Sequence, residues 1–431
     1  MGMDTAKRRA TTSGPLAYCA LIAVLFLWAN GTGSAQEGAR VKEERISSIH
    51  PILLHEDSVI PSPDRRRIAY VVQRGMQFNL QVDGADGPAF EGLGKGPLIR
   101  WSPDSQRIAY VAERNGKQFV VTDVQVGPPF DGIGELGPTW SPNGRRLAYA
   151  AEQRGRWAVV IDGQMGPDFD GIGPLVWSAD SRELAYVALR IDKQMVYFGG
   201  TTQLAFEEIG ELAVSPDGKR LAFFGRIGSV WRVITNRYGP AFDQVKELRM
   251  RPDGQLVYAG QRGKAWYLVT GEQLNGPFEE VGALALSPDQ RRMAFPAKQN
   301  GQWALIVGKR SIGSAELVKD PVWSPDGRRV AYSAKRGEEW RLVLDRAEQP
   351  AFSEIGEVSF SSDGRHMAYA AKRWGKWWVV IDGQVGHESH AVWGPIFDGS
   401  TVRFLARRGG EFYRIAVELG AGVRGQGSET R

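Results

Sequence analysis

Two histidines and a glutamate lie close together near the end of this 431-residue chain, at His387, Glu388 and His390. Imidazole and carboxylate groups can bind a metal ion, but a structural zinc site takes four ligands, and no fourth ligand is evident. The spacing also fits neither a zinc-protease helix nor a zinc finger. We therefore expect a polar loop here, and we predict no metal and no other cofactor.

Glutamates are the second group that could do chemistry, namely Glu211, Glu247 and Glu357. Paired carboxylates carry out the acid–base steps of glycoside hydrolysis. These glutamates, however, recur before short apolar stretches at similar places in the chain, which favours a structural role. The nucleophile motif Gly-x-Ser-x-Gly and the phosphate-binding P-loop are both absent from the sequence. We predict no catalytic residue and a protein that is not an enzyme.

The third group is a basic turn with an aromatic residue, formed by Lys372, Arg373, Trp374 and Lys376. Such a turn could dock an acidic partner or an anionic envelope surface. The competing interpretation is a charged, solvated turn without a binding role. Basic turns of this kind recur along the chain and include Arg74, Arg154 and Arg262.

All three groups belong to a chain that is built from one repeated unit, for example Val322 to Ser361. A Ser-Pro-Asp motif or a close variant of it recurs every 36 to 40 residues. A fixed period of this length is typical of a repeat architecture. The nine copies begin at Ser62, Ser102, Ser141, Ser178, Ser215, Arg251, Ser287, Ser324 and Ser361.

Each copy contains the pattern of four short strands. The Ser-Pro-Asp-Gly segment forms a turn between the first two strands, and the second strand ends in Ala-Tyr or Ala-Phe. A glycine turn leads to a third strand rich in aromatic and β-branched residues. Asp-Gly pairs, such as Asp162-Gly163 and Asp382-Gly383, predict hairpin turns with positive φ. A fourth strand carries Pro-x-Phe, and proline suits an edge strand.

Four strands in about 40 residues indicate a β-propeller blade. The pattern Trp-Ser-Pro-Asp-Gly-x-x-hydrophobic-Ala-Tyr resembles the WD40-like repeats of the TolB propeller family, over roughly residues 50–418. The resemblance implies a propeller and an envelope setting. It extends to the propellers of prolyl oligopeptidase-like proteins, but no hydrolase motif accompanies it here.

Tryptophan recurs at two positions of the repeat, and we predict that both sets pack blade against blade because large aromatic rings bury much area. One set precedes the Ser-Pro-Asp motif and the other begins the third strand. The first set comprises Trp101, Trp140, Trp177 and Trp323, and the second comprises Trp157, Trp231, Trp266, Trp303, Trp340 and Trp377.

Closure of the ring can also be predicted. A degenerate tenth copy lacks a fourth strand, whereas Pro51 stands 11 residues before Ser62, as Pro350 stands 11 before Ser361. We expect residues 50–56 to supply the missing strand. The prediction is an all-β propeller of about ten four-stranded blades, in one ring closed by an N-terminal strand. Two smaller propellers are the alternative.

The N-terminus has the features of an export signal. Basic residues precede the apolar run 16–29, which is 14 residues long and shorter than the roughly 20 of a membrane span. Small residues follow at a cleavage position. We predict a signal peptide over 1–35, a linker over 36–49, the propeller over 50–418 and a flexible tail over 419–431. An uncleaved membrane anchor is the alternative for the first segment.

These observations favour a periplasmic or secreted propeller that acts as a non-catalytic protein-binding or scaffolding module of the cell envelope. A carbohydrate-binding or carbohydrate-active propeller that uses the central channel is the alternative. The net charge of +5 is too small for a dedicated nucleic-acid binder. We expect a monomer without a transmembrane segment after signal removal, whose partner is another envelope or secreted protein.

Overall fold

The computed structural model describes residues 39–48, 54, 58–94, 98–202 and 205–420. Within these ranges the chain forms 43 β-strands and no α-helix, which confirms the all-β class. Accordingly, no described segment is a helix that could span a membrane. The predicted signal peptide and residues 421–431 of the predicted tail lie outside the described residues.

The strands are numbered in chain order. They are β1 (Arg40–Ser48), β2 (Ile60–Pro61), β3 (Ile68–Arg74), β4 (Gln77–Val82), β5 (Ala85–Phe90), β6 (Gly92–Leu93), β7 (Ile99–Trp101), β8 (Ile108–Arg114), β9 (Lys117–Thr122), β10 (Gln125–Val126), β11 (Gly132–Ile133), β12 (Thr139–Trp140), β13 (Leu147–Gln153), β14 (Arg156–Ile161), β15 (Gln164–Phe169), β16 (Gly171–Trp177), β17 (Leu184–Arg190), β18 (Lys193–Phe198), β19 (Thr201–Thr202), β20 (Glu208–Val214), β21 (Leu221–Ile227), β22 (Val230–Ile234), β23 (Tyr238–Phe242), β24 (Gln244–Met250), β25 (Leu256–Arg262), β26 (Ala265–Thr270), β27 (Gln273–Phe278), β28 (Glu280–Val281), β29 (Ala285–Leu286), β30 (Met293–Gln299), β31 (Gln302–Val307), β32 (Arg310–Ala315), β33 (Leu317–Trp323), β34 (Val330–Arg336), β35 (Glu339–Leu344), β36 (Ala347–Phe352), β37 (Glu354–Phe360), β38 (Met367–Arg373), β39 (Lys376–Ile381), β40 (Gln384–Val385), β41 (Ala391–Asp398), β42 (Thr401–Arg408) and β43 (Glu411–Glu418).

The strands form ten antiparallel sheets, which are the blades of one propeller. Blade 1 is β2–β5, and blade 8, for example, has the order β33-β34-β35-β36. In blades 2, 3 and 7 the first strand is interrupted, and both pieces pair with the same second strand. First strands of successive blades contact each other, as β20 does with β24, so they surround the centre of the ring. One ring is therefore confirmed, and the alternative of two smaller propellers is wrong.

The ring is closed by β1, which pairs antiparallel with β43 from Arg40 opposite Glu418 to Ser48 opposite Glu411. It is the fourth strand of blade 10, whose order is β41-β42-β43-β1. Closure by an N-terminal strand is thus confirmed, but residues 50–56 do not supply it. Leu54, the described residue of that segment, forms a bridge with Val72 in the second strand of blade 1.

The predicted linker over 36–49 is therefore wrong across β1. This strand is charged along its length because it is the outer edge of a blade and has little apolar surface to bury. Backbone pairing holds it, and so do ion pairs from Arg408 to Glu43 at 2.7 Å and from Arg45 to Glu411 at 2.9 Å. A strand bound in this way lacks the hydrophobic alternation by which strands are recognised.

The blades pack through their second strands. The alanine of the Ala-Tyr motif is fully buried, as Ala331 and Ala368 show, and the adjacent tyrosine packs on a phenylalanine in the fourth strand of the preceding blade. Tyr369 of the ninth blade meets Phe352 of the eighth blade edge to face, with ring centroids 6.3 Å apart. The small alanine lets the next sheet approach, and the aromatic pair fills the space between the blade and the preceding one.

The tryptophans before the Ser-Pro-Asp motif join neighbouring blades, as predicted. The indole N–H of Trp323 donates to the Ala285 carbonyl of the preceding blade at 3.2 Å, and the Arg292 guanidinium lies 5.1 Å above the ring. The same indole bond to the preceding blade is made by Trp101, Trp140 and Trp177.

The Ser-Pro-Asp turn is held by its buried serine. The Ser324 hydroxyl donates to the Asp326 carboxylate at 2.5 Å and accepts from the Arg329 backbone N–H at 3.0 Å. The serine hydroxyl, with the Arg328 backbone N–H, lowers the pKa of Asp326 below its usual value. The predicted hairpin turns also form, with φ of +51° and +83° at Asp162 and Gly163.

We predict that Ser324→Ala lowers the free energy of unfolding by about 1–3 kcal/mol, because it leaves a buried turn without its hydrogen bonds. Urea unfolding monitored by tryptophan fluorescence would measure this. The control Ser314→Ala changes an exposed serine of β32 and should stay within about 0.5 kcal/mol of the parent. The difference between the variants should shrink in acid, because the contribution of a carboxylate with a lowered pKa is lost as pH falls through that pKa.

We predict that a chain beginning at residue 49 melts well below a chain beginning at residue 36. Only the shorter chain loses β1 and exposes the edge of β43, which should also promote association. Differential scanning calorimetry and light scattering would compare the two. Equal melting temperatures would contradict closure by β1.

Candidate protein-interaction site

The turns between second and third strands lie on one side of the ring, together with the connections from each fourth strand to the next blade. We call this side the turn face. One connecting residue meets the turn in a repeated way. In blade 3 the backbone N–H of Asp131 donates to the Glu152 carbonyl, and its carboxylate accepts from the Arg154 N–H at 2.7 Å. We call this connecting residue the cap position.

An acid occupies the cap position and binds a turn N–H in six blades. Each carboxylate accepts a hydrogen bond from a backbone N–H of the turn that would otherwise have no partner within the blade. Together these acids hold the turns close to the body of their blades. They are Glu91, Asp131, Asp170, Asp243, Glu279 and Glu316, with oxygen–nitrogen distances from 2.6 to 3.1 Å.

Several basic side chains on the turn face are paired with these acids or with nearby ones. Lys117 forms an ion pair with Asp131, and Arg156 pairs with Asp168 at 2.8 Å and with Asp170. The Lys117 ammonium, together with the Arg154 backbone N–H, lowers the pKa of Asp131. These acids therefore compensate part of the positive charge on the described turn face.

Blades 9 and 10 depart from this arrangement. In blade 9 the cap position is Ser353, whose hydroxyl donates to the Lys372 carbonyl at 2.8 Å instead of accepting from the turn. In blade 10 it is His390, whose Nδ1 lies 3.0 Å from the Gly409 backbone nitrogen and whose Nε2 lies 2.9 Å from Lys376 Nζ. Neither of the described cap positions beside the turn between β38 and β39 thus carries a carboxylate.

The four residues of the predicted basic turn have different surroundings. Arg373 bonds to the Ala351 carbonyl and lies over the Phe352 ring at 4.7 Å. This is a structural arrangement, since Arg114, Arg190 and Arg262 make the same pair of contacts in other blades.

Lys372 lies 3.7 Å from Glu354 and 5.5 Å from the centre of the Trp377 ring, so it is partly engaged. Trp374 at the tip is 83% exposed. Trp374 and Lys376 are therefore the residues of this turn that present an apolar surface and a charge to solvent. Their predicted role in binding stays a prediction.

Exposed apolar residues at two other turns were missed at the sequence level. Met76 in blade 1 is 90% exposed and Ile191 in blade 4 is 82% exposed, and both occupy turns between second and third strands. Once the ring is closed, blade 10 lies between the turns of Met76 and Trp374. The sequence feature that could have identified them is an apolar residue within an otherwise polar glycine turn.

The histidine segment forms part of blade 9 and the start of blade 10. Ser389 bridges to Trp377, which places His390 at the cap position. No group of three or more His, Cys, Asp or Glu residues in the described ranges is arranged to bind a metal. His390 instead contributes to the turn face beside Lys376.

The three candidate glutamates join blades. Glu211 accepts from the backbone N–H groups of Glu247 and Leu248 in the next blade, both at 2.9 Å. Arg65 Nη2 of blade 1 donates to both carboxylate oxygens of Glu357 at 2.7 and 2.8 Å, across the first strand of blade 10. These contacts agree with the structural interpretation of the three glutamates.

Comparisons with known proteins identify no family for this chain. The chain matches no protein-family model and no curated protein, so membership of the TolB family is not confirmed. Similar solved structures include "Crystal structure of the eukaryotic initiation factor", with 14% identity, a TM-score of 0.48 and coverage of 75% of this chain and 95% of that one. Another is "Structure of Dos1 propeller", with 12% identity, a TM-score of 0.37 and coverage of 65% and 90%.

Proposed function

We propose that this chain is an exported, non-catalytic propeller that binds another protein of the cell envelope. The proposed site lies on the turn face and comprises Met76, Trp374, Lys376 and His390, which we call the docking site. The observation that carries the proposal is the loss of the acidic cap in blades 9 and 10, beside an exposed tryptophan. Binding residues are commonly placed on such loops of a rigid scaffold.

The charge of Lys376 is poorly compensated. At the equivalent place in other blades, Lys117 and Arg156 face aspartates, whereas Lys376 faces His390. A neutral imidazole has one unprotonated nitrogen, so His390 cannot accept from Gly409 and Lys376 together. The positive charge therefore remains available to an acidic partner.

Trp374 supplies the apolar part of the docking site. Tryptophan dominates binding energy in many protein interfaces because its large ring buries much area at a small cost in entropy. Met76 adds a second apolar contact on the far side of blade 10. The best fit is an acidic segment of a partner protein that also carries apolar side chains.

A catalytic alternative receives no comparable support. Glu211, Glu247 and Glu357 are engaged in contacts between blades, and an engaged carboxylate is poorly placed to move a proton to a sugar. The proposal therefore treats the propeller as a scaffold whose loops carry the function.

We predict that Trp374→Ala combined with Lys376→Glu weakens partner binding at least tenfold. A photo-crosslinking residue at 374, introduced into the chain in its own host, would identify the partner, and titration of the purified pair would give the affinity. The matched control is Ile191→Ala, an equally exposed residue on an acid-capped turn, which should leave affinity unchanged. Equal losses in both variants would overturn the docking site.

The proposed envelope location rests on the basic and apolar pattern of residues 1–35. We predict that the protein recovered from its host begins at Gln36 and is found in the periplasmic or extracellular fraction. Mass spectrometry of the intact protein would establish the first residue. Recovery with Met1 or Gly2 in place would contradict cleavage.

A further inference from the structure

The seam between blades 10 and 1 is charged where other seams are apolar. In the second strand of nine blades, the residue before the buried aromatic is alanine or valine, and each is 0% exposed. Blade 10 has Arg403 at this position. The nine apolar residues are Ala69, Ala109, Ala148, Ala185, Ala222, Val257, Ala294, Ala331 and Ala368.

The third strand of blade 10 also carries an arginine at a position that is apolar in the other nine blades. In nine blades the fourth residue of the third strand is valine or leucine, and each of these side chains is at most 6% exposed. Blade 10 has Arg414 there. The nine residues are Leu80, Val120, Val159, Val196, Val233, Leu268, Leu305, Leu342 and Val379.

These two arginines point to the same side of blade 10. Arg403 pairs with Ala416 across the sheet, Leu405 pairs with Arg414, and residues in register share a face. Leu405 and Phe412 on that face pack against blade 1, where the Phe412 ring stacks on Tyr70 at 5.0 Å. The face toward blade 1 is therefore apolar in one half and cationic in the other.

The cationic half lines an open cavity of about 240 Å³, which we call the seam cavity. It is at the end of the strands opposite the turn face, because Arg66 reaches it from the turn between the first and second strands of blade 1. Its lining residues are Lys42, Glu44, Arg66, Arg403, Arg414 and Ala416.

Positive charge exceeds negative charge around the seam cavity. Glu44 accepts from Arg414 at 3.2 Å, and Asp398 accepts from Arg66 at 2.8 Å and from Arg403 at 2.9 Å. Asp64 is 3.9 Å from Arg66.

The Lys42 ammonium makes no hydrogen bond or ion pair within the described part of the chain. The Arg414 Nε is buried without a partner. Four cations thus face three carboxylates, one of them distant.

We propose that the seam cavity binds a small oxyanion, either a phosphate group or a polycarboxylate. Guanidinium forks match the paired oxygens of both groups, and the Lys42 ammonium adds a mobile fourth donor. The cavity is smaller than the pockets that hold drug-sized ligands, which suits a compact anion. The bound anion would join blade 1, β42, β43 and β1, so it would stabilise the closed ring.

The test uses the full chain from residue 36, with melting temperature and isothermal titration as readouts. Inorganic phosphate and citrate are the two probes, each compared with sodium chloride at equal ionic strength. We expect one probe to raise the melting temperature by several degrees and to bind in a saturable way. Tighter binding of phosphate assigns a phosphoryl ligand, and tighter binding of citrate assigns a polycarboxylate.

Variants separate the site from general salt effects. Arg403→Ala with Arg414→Leu restores the residues that other blades use, so it should fold normally and lose at least tenfold in affinity. Lys42→Gln changes an exposed side chain and should weaken binding without affecting melting in sodium chloride. The control Arg237→Ala removes an exposed cation elsewhere and should bind like the parent. An anion response that persists in the double variant, or no response to either probe, would overturn the proposal.

Discussion

The whole ring depends on the close approach of neighbouring sheets at one small, buried residue. In nine blades this residue is the alanine or valine that precedes the aromatic of the second strand, and it is completely removed from solvent. A larger side chain there would push two sheets apart, and the displacement would accumulate around the ring. The indole bonds from Trp101, Trp140, Trp177 and Trp323 then set the offset of each blade against the one before it.

The ring is closed by contacts that differ from those between the other neighbouring blades. Backbone pairing of β1 with β43 is the continuous contact between the two ends of the described chain, and ion pairs such as Arg65–Glu357 accompany it. Exposed ion pairs contribute little to stability on their own, so the hydrogen-bonded ladder does most of the closing. Because Arg65 reaches past blade 10 to blade 9, the closing blade is held from both of its neighbours.

The repeat period of the sequence predicts most of the fold. Turn chemistry, the alternation of each strand and the recurrence of Ser-Pro-Asp were enough to predict blades, their number and a single ring. The closing strand was misplaced because β1 has the charge of a linker, and an edge strand needs no apolar face. The cap positions were missed because Asp131 and Arg154 meet only after two strands fold back, so no local pattern links them.

Function in a repeat protein is most readily found where the copies differ. A residue that occurs in nine blades, such as the alanine equivalent to Arg403, is explained by packing and needs no ligand. Arg403 and Arg414 have no such explanation, because an apolar residue would close the tenth seam as it closes the others. The loss of the acidic cap at Ser353 and His390 is a departure of the same kind. Both departures lie at blade 10 or beside it, where the pairing of β1 with β43 adds to the apolar packing that holds the ring. Charged side chains are tolerated there because the apolar contact with blade 1 covers only half of that face.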